Sequence, residues 1–268
     1  MTIAYDCRCE QFQMNDAIDT IFHILIPARL DSSRLPQKAL ADLGGKPMVV
    51  RTLQRALACG AASVHVATDS PSIAEAVHAE GGQVVMTDSS HRSGTDRLAE
   101  ASAKLGLADE AIVVNLQGDE PAMPVVCLVQ VARLLAEDED ASMATLWQPV
   151  ADEAQWNDPN VVKLVSDRRG RALYFSRAPI PHARDGGWPA RLARRHVGLY
   201  AYRAGALKAW KGLPESELEQ LESLEQLRAL EAGWLIAAAE AKAPIPVGID
   251  TPEDLERARK SVEISSYI

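Results

Sequence analysis

Cysteines, aromatic residues and long uncharged segments are all scarce in this chain of 268 residues. Aromatic residues make up 5%, and the four cysteines lie at irregular positions, which are Cys7, Cys9, Cys59 and Cys127. This spacing excludes a disulfide-stabilised scaffold and completes no zinc site, because no second pair follows Cys7 and Cys9. We therefore expect reduced thiols and a cytoplasmic location.

Long apolar runs and an excess of positive charge are also missing. The longest stretch without a charged residue is 56–68, whereas a transmembrane helix needs about 20 apolar residues. Lys and Arg number 28 against 37 Asp and Glu, a net charge of −9. We expect no membrane partner and no nucleic-acid partner, since nucleic-acid binders need a basic face. Residues 1–22 resemble neither a signal nor a transit peptide and are predicted to form a poorly ordered extension.

Between residues 23 and 135, short apolar runs alternate with segments of helical periodicity. Strands are predicted at 23–28, 63–68, 83–87 and 111–116, and helices at 47–58, 69–80, 95–105 and 125–135. This alternation predicts an α/β fold with a parallel sheet, which binds ligands beyond the carboxyl ends of its strands. Later strands are predicted at 142–147, 161–165, 172–175 and 197–202, and helices at 223–232 and 252–262. We interpret 23–268 as one domain, with 142–202 as a smaller antiparallel elaboration of the sheet.

A basic loop directly follows the first predicted strand. It contains Arg29, Arg34 and Lys38 together with the small residues Ser32 and Ser33. Small residues let backbone N–H groups turn toward an anion, while arginine and lysine supply charge, so the loop is predicted to bind phosphate. The alternative is a solvated basic loop. The Walker motif and the G-x-G-x-x-G dinucleotide motif are both absent.

Two carboxylates are candidates for binding Mg²⁺. Asp119 follows the most apolar predicted strand, where a ligand for Mg²⁺ on a triphosphate explains a charge better than packing does. Gly118 beside it permits the close approach of a ligand. Asp250 is either the partner of Asp119 or only part of the start of the helix at Pro252. Glu120 either joins this site or caps the following helix.

Polar residues later in the chain suggest a substrate pocket. Arg177 lies in a strongly basic segment and is suited to holding a carboxylate through a bidentate fork. His196, Gly198 and Tyr200 alternate along one strand and so share a face. The acidic motif 138–140 matches the Asp-x-Asp metal motif of glycosyltransferases, but its place after a helix favours a solvated turn.

Nine segments, in order, carry a resemblance to a known family. They are 26–38, 45–48, 67–69, 93–97, 117–121, 174–181, 196–200, 224–228 and 248–255. Over residues 23–260 the chain resembles the 3-deoxy-D-manno-octulosonate (Kdo) cytidylyltransferases. The first segment is shared with other sugar nucleotidyltransferases, whereas the segments around Arg177, His196 and Glu225 are together specific.

The resemblance implies a Rossmann-like nucleotidyltransferase sheet flanked by helices, in a cytoplasmic homodimer. It implies transfer of CMP from CTP to the anomeric hydroxyl of Kdo with Mg²⁺, giving CMP-Kdo and diphosphate for lipopolysaccharide synthesis. Another sugar acid, such as 8-amino-Kdo or sialic acid, stays open as the acceptor. A glycosyltransferase that uses the acidic motif 138–140 and a nucleotide-binding regulatory module are more distant alternatives.

The resemblance also implies roles for individual residues. Asp119 and Asp250 would carry Mg²⁺ and would form the catalytic set with Lys38 and Arg29. The residues implied to contact CTP are Pro27, Ala28, Arg29, Arg34, Lys38, Thr68, Asp69, Ser93, Gly94 and Thr95. Those implied to line the sugar site are Gln117, Arg177, His196, Tyr200, Glu225 and Gln226. The family usually has Gly-Lys-Pro where this chain has Gln37-Lys38-Ala39, which changes the expected flexibility of the loop.

Overall fold

The structure, a computed structural model, describes residues 20–30, 35–91 and 93–265. Its strands are β1 (Phe22–Ala28), β2 (Ser63–Thr68), β3 (Gln83–Met86), β4 (Ile112–Asn115), β5 (Met143–Pro149), β6 (Lys163–Ser166), β7 (Ala172–Ser176), β8 (Arg194–Arg203) and β9 (Ile236–Glu240). Its helices are α1 (Met48–Leu57), α2 (Pro71–Ala79), α3 (Gly94–Lys104), α4 (Val125–Glu137), α5 (Glu153–Asn157), α6 (Ala204–Trp210), α7 (Glu217–Glu222), α8 (Gln226–Glu231) and α9 (Pro252–Ser265). The extension predicted for residues 1–22 lies almost wholly outside the described residues.

The nine strands form one sheet, in the order β3-β2-β1-β4-β8-β5-β9, with β6 and β7 attached beside β8. β1 pairs in parallel with β2 and with β4, and β2 pairs in parallel with β3. The predicted parallel α/β sheet is thus confirmed. The chain order reverses between β1 and β4, so a crevice opens there beyond the carboxyl ends of these two strands.

Alternating side chains of β1 enter two separate cores on opposite faces of the sheet. Ile24 and Ile26 pack in a cluster with residues of α1, α2 and α4, whereas Leu25 packs in a cluster with residues of α3, α6 and α8. A strand buried on both faces is apolar throughout, which explains why this run showed no polar alternation in the sequence. Helices therefore cover both faces and leave the strand ends as the accessible edge.

The second half of the sheet is mostly antiparallel, as predicted. β8 pairs antiparallel with β4 and with β5, and β6 and β7 form an antiparallel pair. β9, which pairs in parallel with β5, was not predicted. Its sequence is Ile-Ala-Ala-Ala-Glu, and alanine has little intrinsic preference for strands, so pairing with β5 and burial determine its conformation.

The helix predicted over 223–232 is wrong at its start. α8 begins at Gln226, and Ser223 instead ends the separate short helix α7 in a left-handed conformation. The start of α9 agrees with the sequence pattern: Thr251 Oγ1 accepts the Asp254 N–H at 3.2 Å, and Asp254 Oδ2 accepts the Thr251 N–H at 2.9 Å.

Two further expectations concern the membrane and the thiols. Across the described ranges, no helix is both long enough and apolar enough to span a bilayer. Cys59 and Cys127 are free and buried, and burial raises the pKa of both thiols. Cys7 and Cys9 lie outside the described residues.

Candidate active site

The loops after β1 and β4 meet at the crevice between these strands. Gly118 follows β4, and a side chain at its Cα would place a Cβ 3.1 Å from the carbonyl oxygen of Pro27 and 3.6 Å from Cβ of Ala28. The close approach that glycine permits here includes the end of β1, and the predicted approach of a ligand stays a prediction. Thr52 of α1 donates its hydroxyl to the Gly118 carbonyl at 3.0 Å and fixes the loop from the other side.

Lys38, Asp119 and Asp250 form one charged cluster at this edge. The Lys38 ammonium donates to Asp119 Oδ2 in a short contact and to Asp250 Oδ1 at 2.8 Å. The side chains of Lys38 and Asp119 are 16% and 27% exposed, and that of Asp250 is 41% exposed. Burial lowers the pKa of Lys38, but the two ion pairs outweigh burial and raise it. The ammonium therefore stays charged between the two carboxylates.

Asp250 reaches this cluster from the far end of the chain through the packing of α9. Leu255 and Ala258 of α9 pack with Leu43 and Met48, near the start of α1. The Ile249 N–H also donates to the Asp119 carbonyl at 3.1 Å, which ties the two acidic loops together. Asp250 is thus both next to a helix start and a partner of Asp119, and the two interpretations of the sequence were not exclusive.

Glu120 lies beside this cluster but does not cap α4. The residue before α4 is Pro124, and no side chain bonds to the first turn of that helix. Oε2 of Glu120 is buried without a hydrogen-bond partner among the described residues. Burial, then Asp119 and Asp250, raises the pKa of Glu120 to about 8. A third carboxylate is therefore held close to the pair in an environment that opposes its ionisation.

The N-terminus of α3 forms the second wall of the crevice. Ser93 caps this helix by accepting the Asp96 N–H at 3.1 Å. A Cβ on Gly94 would lie 3.7 Å from Cγ of Pro27 and 4.0 Å from Oε1 of Gln117, so these three residues are neighbours. Thr95 donates its hydroxyl to Glu225 Oε2 at 2.6 Å, across 130 residues of sequence. The N-terminus of a helix suits a ligand that carries phosphate.

His196 and Tyr200 share one face of β8, as predicted. Their ring centroids are 5.3 Å apart, and His196 also meets the ring of Phe175 edge-on at 5.0 Å. Gly198 is exposed and lies in the stretch where the register between β8 and β5 shifts. Because the shift accommodates two extra residues, His196 and Tyr200 keep their common face. Nε2 of His196 lies 3.0 Å from the Thr145 hydroxyl, a partner that sequence reasoning missed.

The pKa of His196 predicts a measurable dependence of stability on pH. Burial, and next Arg195, lowers this pKa to about 3. An unfolded chain protonates the same histidine near pH 6.5, so between about pH 6.5 and pH 3 the unfolded state binds more protons and stability falls as the pH falls. We therefore expect the free energy of unfolding, measured in urea, to fall between pH 7.5 and pH 5 in wild type. In His196→Gln this fall should be smaller by about 1–2 kcal/mol.

Two comparisons make this experiment specific. His182→Gln changes an exposed histidine and is expected to keep the wild-type difference between the two pH values. Equal losses for wild type and His196→Gln would show that His196 is not held neutral by the fold.

Gln37, immediately before Lys38, has φ 53° and ψ 32°, in the left-handed region that favours glycine. This conformation gives a physical reason for the glycine that the family usually has here. For the CMP transfer that the resemblance implies, we expect Gln37→Gly to keep kcat/KM within about threefold of wild type, because glycine adopts this φ without strain. Gln37→Val is expected to lower the free energy of unfolding by about 1–2 kcal/mol and kcat/KM about tenfold, since a β-branched residue fits the left-handed region worst. Equal activity of the two variants would contradict a conformational requirement at this position.

Comparison with known proteins identifies the family. The family model for cytidylyltransferases matches residues 23–260. The 3-deoxy-manno-octulosonate cytidylyltransferase of Polynucleobacter necessarius is 51% identical over 240 residues, covering 89% of this chain and 94% of the relative. That of Leptothrix cholodnii is 52% identical over 246 residues, covering 89% of this chain and 90% of the relative. The chain belongs to the cytidylyltransferase family.

Solved structures agree with this assignment. A CMP:2-keto-3-deoxy-manno-octonic acid synthetase, solved in complex with CTP, superimposes with a TM-score of 0.84 and is 43% identical, covering 93% of this chain and all of that chain. A nucleotidyl transferase from Methanothermobacter superimposes with a TM-score of 0.57 at 18% identity, which shows the fold alone. The Rossmann-like nucleotidyltransferase fold expected from the resemblance is thereby confirmed.

The other residues predicted for the site of this cytidylyltransferase differ in exposure and in their contacts. Arg29 is exposed at the end of β1, and Arg34 lies outside the described residues. Thr68 is fully buried, and its hydroxyl accepts the Ser70 N–H at 3.1 Å. Asp69 Oδ1 lies 3.1 Å from the guanidinium of the buried Arg97. Thr68 and Asp69 therefore have structural contacts at the end of β2, next to β1.

The acidic motif 138–140 lies apart from this site. Arg171 donates to both carboxylate oxygens of Asp138, at 2.7 and 2.9 Å, and to Asp140 Oδ2 at 3.0 Å. These ion pairs hold the end of α4 to the turn before β7. The motif is thus a turn in which Glu139 and Asp140 are exposed, as predicted, and in which Asp138 and Asp140 are salt-bridged; it gives the glycosyltransferase alternative no support.

Asn115 and Tyr202 are polar residues of the pocket that sequence reasoning did not single out. Asn115 lies on β4 and Tyr202 on β8. Burial and then Glu225 raise the pKa of Tyr202, and hydrogen bonding with Thr95 and Asn115 partly offsets that rise. Oδ1 of Asn115 and the hydroxyl of Tyr200 are buried without partners among the described residues. A polar residue inside the apolar run 111–116 was the only signal that could have indicated Asn115.

Proposed function

We propose that this protein transfers CMP from CTP to the anomeric hydroxyl of Kdo, forming CMP-Kdo and releasing diphosphate. The observation that carries this proposal is the cluster of Lys38, Asp119 and Asp250 at the switch point of a cytidylyltransferase sheet. The relatives at about 50% identity that are named Kdo cytidylyltransferases direct the choice of sugar. The product would serve lipopolysaccharide synthesis in the cytoplasm.

The proposed CTP site follows the loops after β1 and β2 and the start of α3. Lys38 would turn from the carboxylates toward the phosphates when these arrive, and Arg29 would add charge from the open side of the crevice. Ser93, Gly94 and Thr95 offer a helix N-terminus, whose free N–H groups and dipole favour an anion. Pro27 and Ala28 would form the floor beneath the nucleotide.

Asp119 and Asp250 are proposed to hold Mg²⁺ together with the nucleotide. A cation already lies between them in the form of the Lys38 ammonium, so this position attracts positive charge. Over the described parts of the chain, no group of three or more His, Cys, Asp or Glu is arranged to hold a metal ion. Two carboxylates are nevertheless sufficient, since Mg²⁺ usually takes one or two of them and completes its shell with phosphate and water. When bound, Mg²⁺ supplies charge neutralisation at the phosphates and acidifies the attacking hydroxyl.

The main contribution of the protein is to position the two substrates. The sugar hydroxyl attacks the α-phosphorus and gives up its proton to solvent, the bond from the α-phosphorus to the bridging oxygen breaks, and diphosphate leaves with that oxygen. Lys38 and Arg29 offset the negative charge that spreads over the phosphates, and the walls of the crevice align the two reacting groups. We propose no protein nucleophile in this reaction.

The proposed sugar site lies between β4, β8 and α8. Glu225, Gln226, His196 and Tyr200 line this side, with Gln117 at the border to the nucleotide. Neutral His196 and the buried Tyr200 hydroxyl offer hydrogen bonds to sugar hydroxyls without adding charge. Arg177 would contribute the N–H groups that remain after its contacts with backbone carbonyls.

A homodimer is proposed to form through the elaboration over 142–202. Leu173 and Leu192 in this region are large apolar residues that are 61% and 57% exposed. Covering apolar side chains of this kind is a usual reason for self-association. Light scattering that gives the mass of one chain would contradict this part of the proposal.

Diphosphate release tests the proposed function. The protein is incubated with CTP and Mg²⁺ and with Kdo, 8-amino-Kdo, sialic acid or no sugar. We expect release with Kdo only. Release with another sugar acid alone would keep the mechanism and change the substrate, whereas CTP binding without release in any mixture would favour the regulatory module.

A further inference from the structure

The chain reaches Glu225 through a turn in an unfavourable conformation. Ser223 has φ 53° and ψ 50°, and with Gln37 it is one of two non-glycine residues with positive φ among the described residues. Such a conformation costs about 1–2 kcal/mol for a residue with a Cβ, so neighbouring contacts must hold it in place. The turn lies two residues before Glu225, and its conformation therefore sets where Glu225 points.

Glu222 holds this turn against the end of β7. Its Oε1 accepts the Ser176 hydroxyl at 2.6 Å, and its Oε2 accepts the Arg177 N–H at 2.9 Å. In return, the Arg177 guanidinium donates through Nε to the Glu222 carbonyl at 2.6 Å and through Nη2 to the Ser223 carbonyl at 3.4 Å. The contacts run in both directions between segments about 45 residues apart, which makes the attachment specific in position.

A third segment is attached to the same arginine. Nη1 of Arg177 donates to the Pro159 carbonyl at 3.0 Å, and the neighbouring Lys163 is fully buried. The Lys163 ammonium donates to the carbonyls of Asp158 and Val161, at 2.9 and 2.6 Å. The end of β7 is therefore a rigid support to which the turn is fastened.

The other anchor of Glu225 is Thr95. Thr95 donates to Oε2 of Glu225 at 2.6 Å, at the N-terminus of α3 where the nucleotide is proposed to bind. Glu225 is thus held at its side chain by Thr95 and through its backbone by the Ser223 turn. Loss of the second anchor leaves the Thr95 hydrogen bond at the carboxylate and the bond from the Arg228 N–H to the Glu225 carbonyl at 3.1 Å, so the segment just before Glu225 is no longer fixed.

We propose that Glu222 is a positioning residue for sugar binding, which acts by fixing the Ser223 turn so that Glu225 faces the sugar. The proposal rests on the proposed function, because Glu225 is taken to contact the sugar acid. Glu222 is not among the site residues predicted from the sequence, because it lies among other acidic residues beside a predicted helix.

The rest of α7 and α8 has attachments of its own. Arg228 pairs with both carboxylate oxygens of Glu219, at 2.5 and 2.7 Å, and the Ser216 hydroxyl donates to Glu231 Oε2 at 2.5 Å. Leu224 and Leu227 are buried in the core. Removal of the Glu222 carboxylate should therefore loosen the turn while the helices stay folded.

The test compares KM values in the diphosphate assay, with the sugar acid that wild type accepts. We expect Glu222→Ala to raise KM for the sugar about tenfold or more while KM for CTP stays within about twofold, because the segments that Glu222 holds carry the sugar-site residues Arg177 and Glu225 and none of the residues proposed to contact CTP. Glu222→Gln keeps one acceptor oxygen and should recover much of the affinity. Glu217→Ala, at an exposed glutamate of the same helix, is the matched control and should behave as wild type.

A double mutant decides whether Glu222 acts through Glu225. In a Glu225→Ala background, Glu222→Ala should raise KM for the sugar by less than about twofold, since the positioned group is already gone. Additive effects, or an unchanged KM in Glu222→Ala, would overturn the inference. If Glu222→Ala does not fold, Ser176→Ala, which removes one bond of the same attachment, takes its place with the same expectations. Wild type that is inactive with every sugar acid would instead overturn the proposed function and this inference with it.

Discussion

Replacing Asp119 by alanine is expected to lower kcat for diphosphate release by about a thousandfold or more. The variant removes one of two carboxylates proposed to hold Mg²⁺, and a metal ion contributes several kcal/mol of charge stabilisation, of which each 1.36 kcal/mol corresponds to about tenfold in rate. The folded state should persist, because Lys38 keeps its ion pair with Asp250 at 2.8 Å. Urea unfolding should therefore change by less than about 1 kcal/mol, consistent with a partly exposed side chain.

Two further variants show whether this loss of kcat comes from the charge of Asp119 at the proposed metal site. Asp119→Asn keeps the volume of the side chain and removes its charge, so an equal loss would assign the effect to charge rather than to packing. Asp140→Ala, at a carboxylate of the acidic motif that pairs with Arg171, should keep wild-type kcat. Calorimetric titration with Mg²⁺ in the presence of CTP gives a second readout, in which Asp119→Ala should bind the ion much more weakly. More than a tenth of wild-type kcat in Asp119→Ala would contradict a shared metal site.

Replacing Asp250 by asparagine is expected to lower kcat by about a hundredfold to a thousandfold. Asp250 is more exposed than Asp119, at 41% against 27%, so water replaces its charge more easily and the loss should be smaller. Its backbone N–H donates to Asp254 Oδ2 at 3.1 Å, a contact that the substitution leaves intact. The start of α9 should therefore keep its structure in this variant.

Asp254→Ala separates the two interpretations of this acidic segment. It removes the acceptor for the Thr251 N–H and should cost about 1 kcal/mol of unfolding free energy, as the loss of a helix cap usually does. Its kcat should fall less than tenfold, because the Asp250 carboxylate remains. Equal losses of kcat in Asp250→Asn and Asp254→Ala would mean that Asp250 matters only through the helix start.

Periodicity predicted the parallel half of the sheet well and the short elements poorly. β2 was predicted at its observed ends, and β1, β3 and β4 within one residue at each end, since each is an apolar run bounded by turn residues. β9 and the break between α7 and α8 were missed. Alanine in β9 and the glutamate-rich stretch 215–231 carry local preferences for helix, and only strand pairing and the turn at Ser223 override them.

Motifs indicated most of the residues proposed for the site, but the contacts among them came from the fold. Lys38 and Asp250 are 212 residues apart, and no local pattern could show that they meet. The same holds for Thr95 and Glu225, which join the helix proposed to bind the nucleotide to the wall proposed to bind the sugar. Arg177 was interpreted as a ligand for a carboxylate, and its donors to three backbone carbonyls could not be read from its neighbours in sequence.

The sequence by itself determined the class of sheet, the strand ends at which ligands bind and the residue types available there, because hydrophobic period and turn chemistry act over a few residues. The tertiary structure alone decided which charges share a site, that Gly118 is needed for approach to β1 and that Glu222 fastens the turn before Glu225. These features depend on distances between segments that are far apart in the chain. Such distances follow from how helices and strands pack around two buried cores, and local preferences do not contain them.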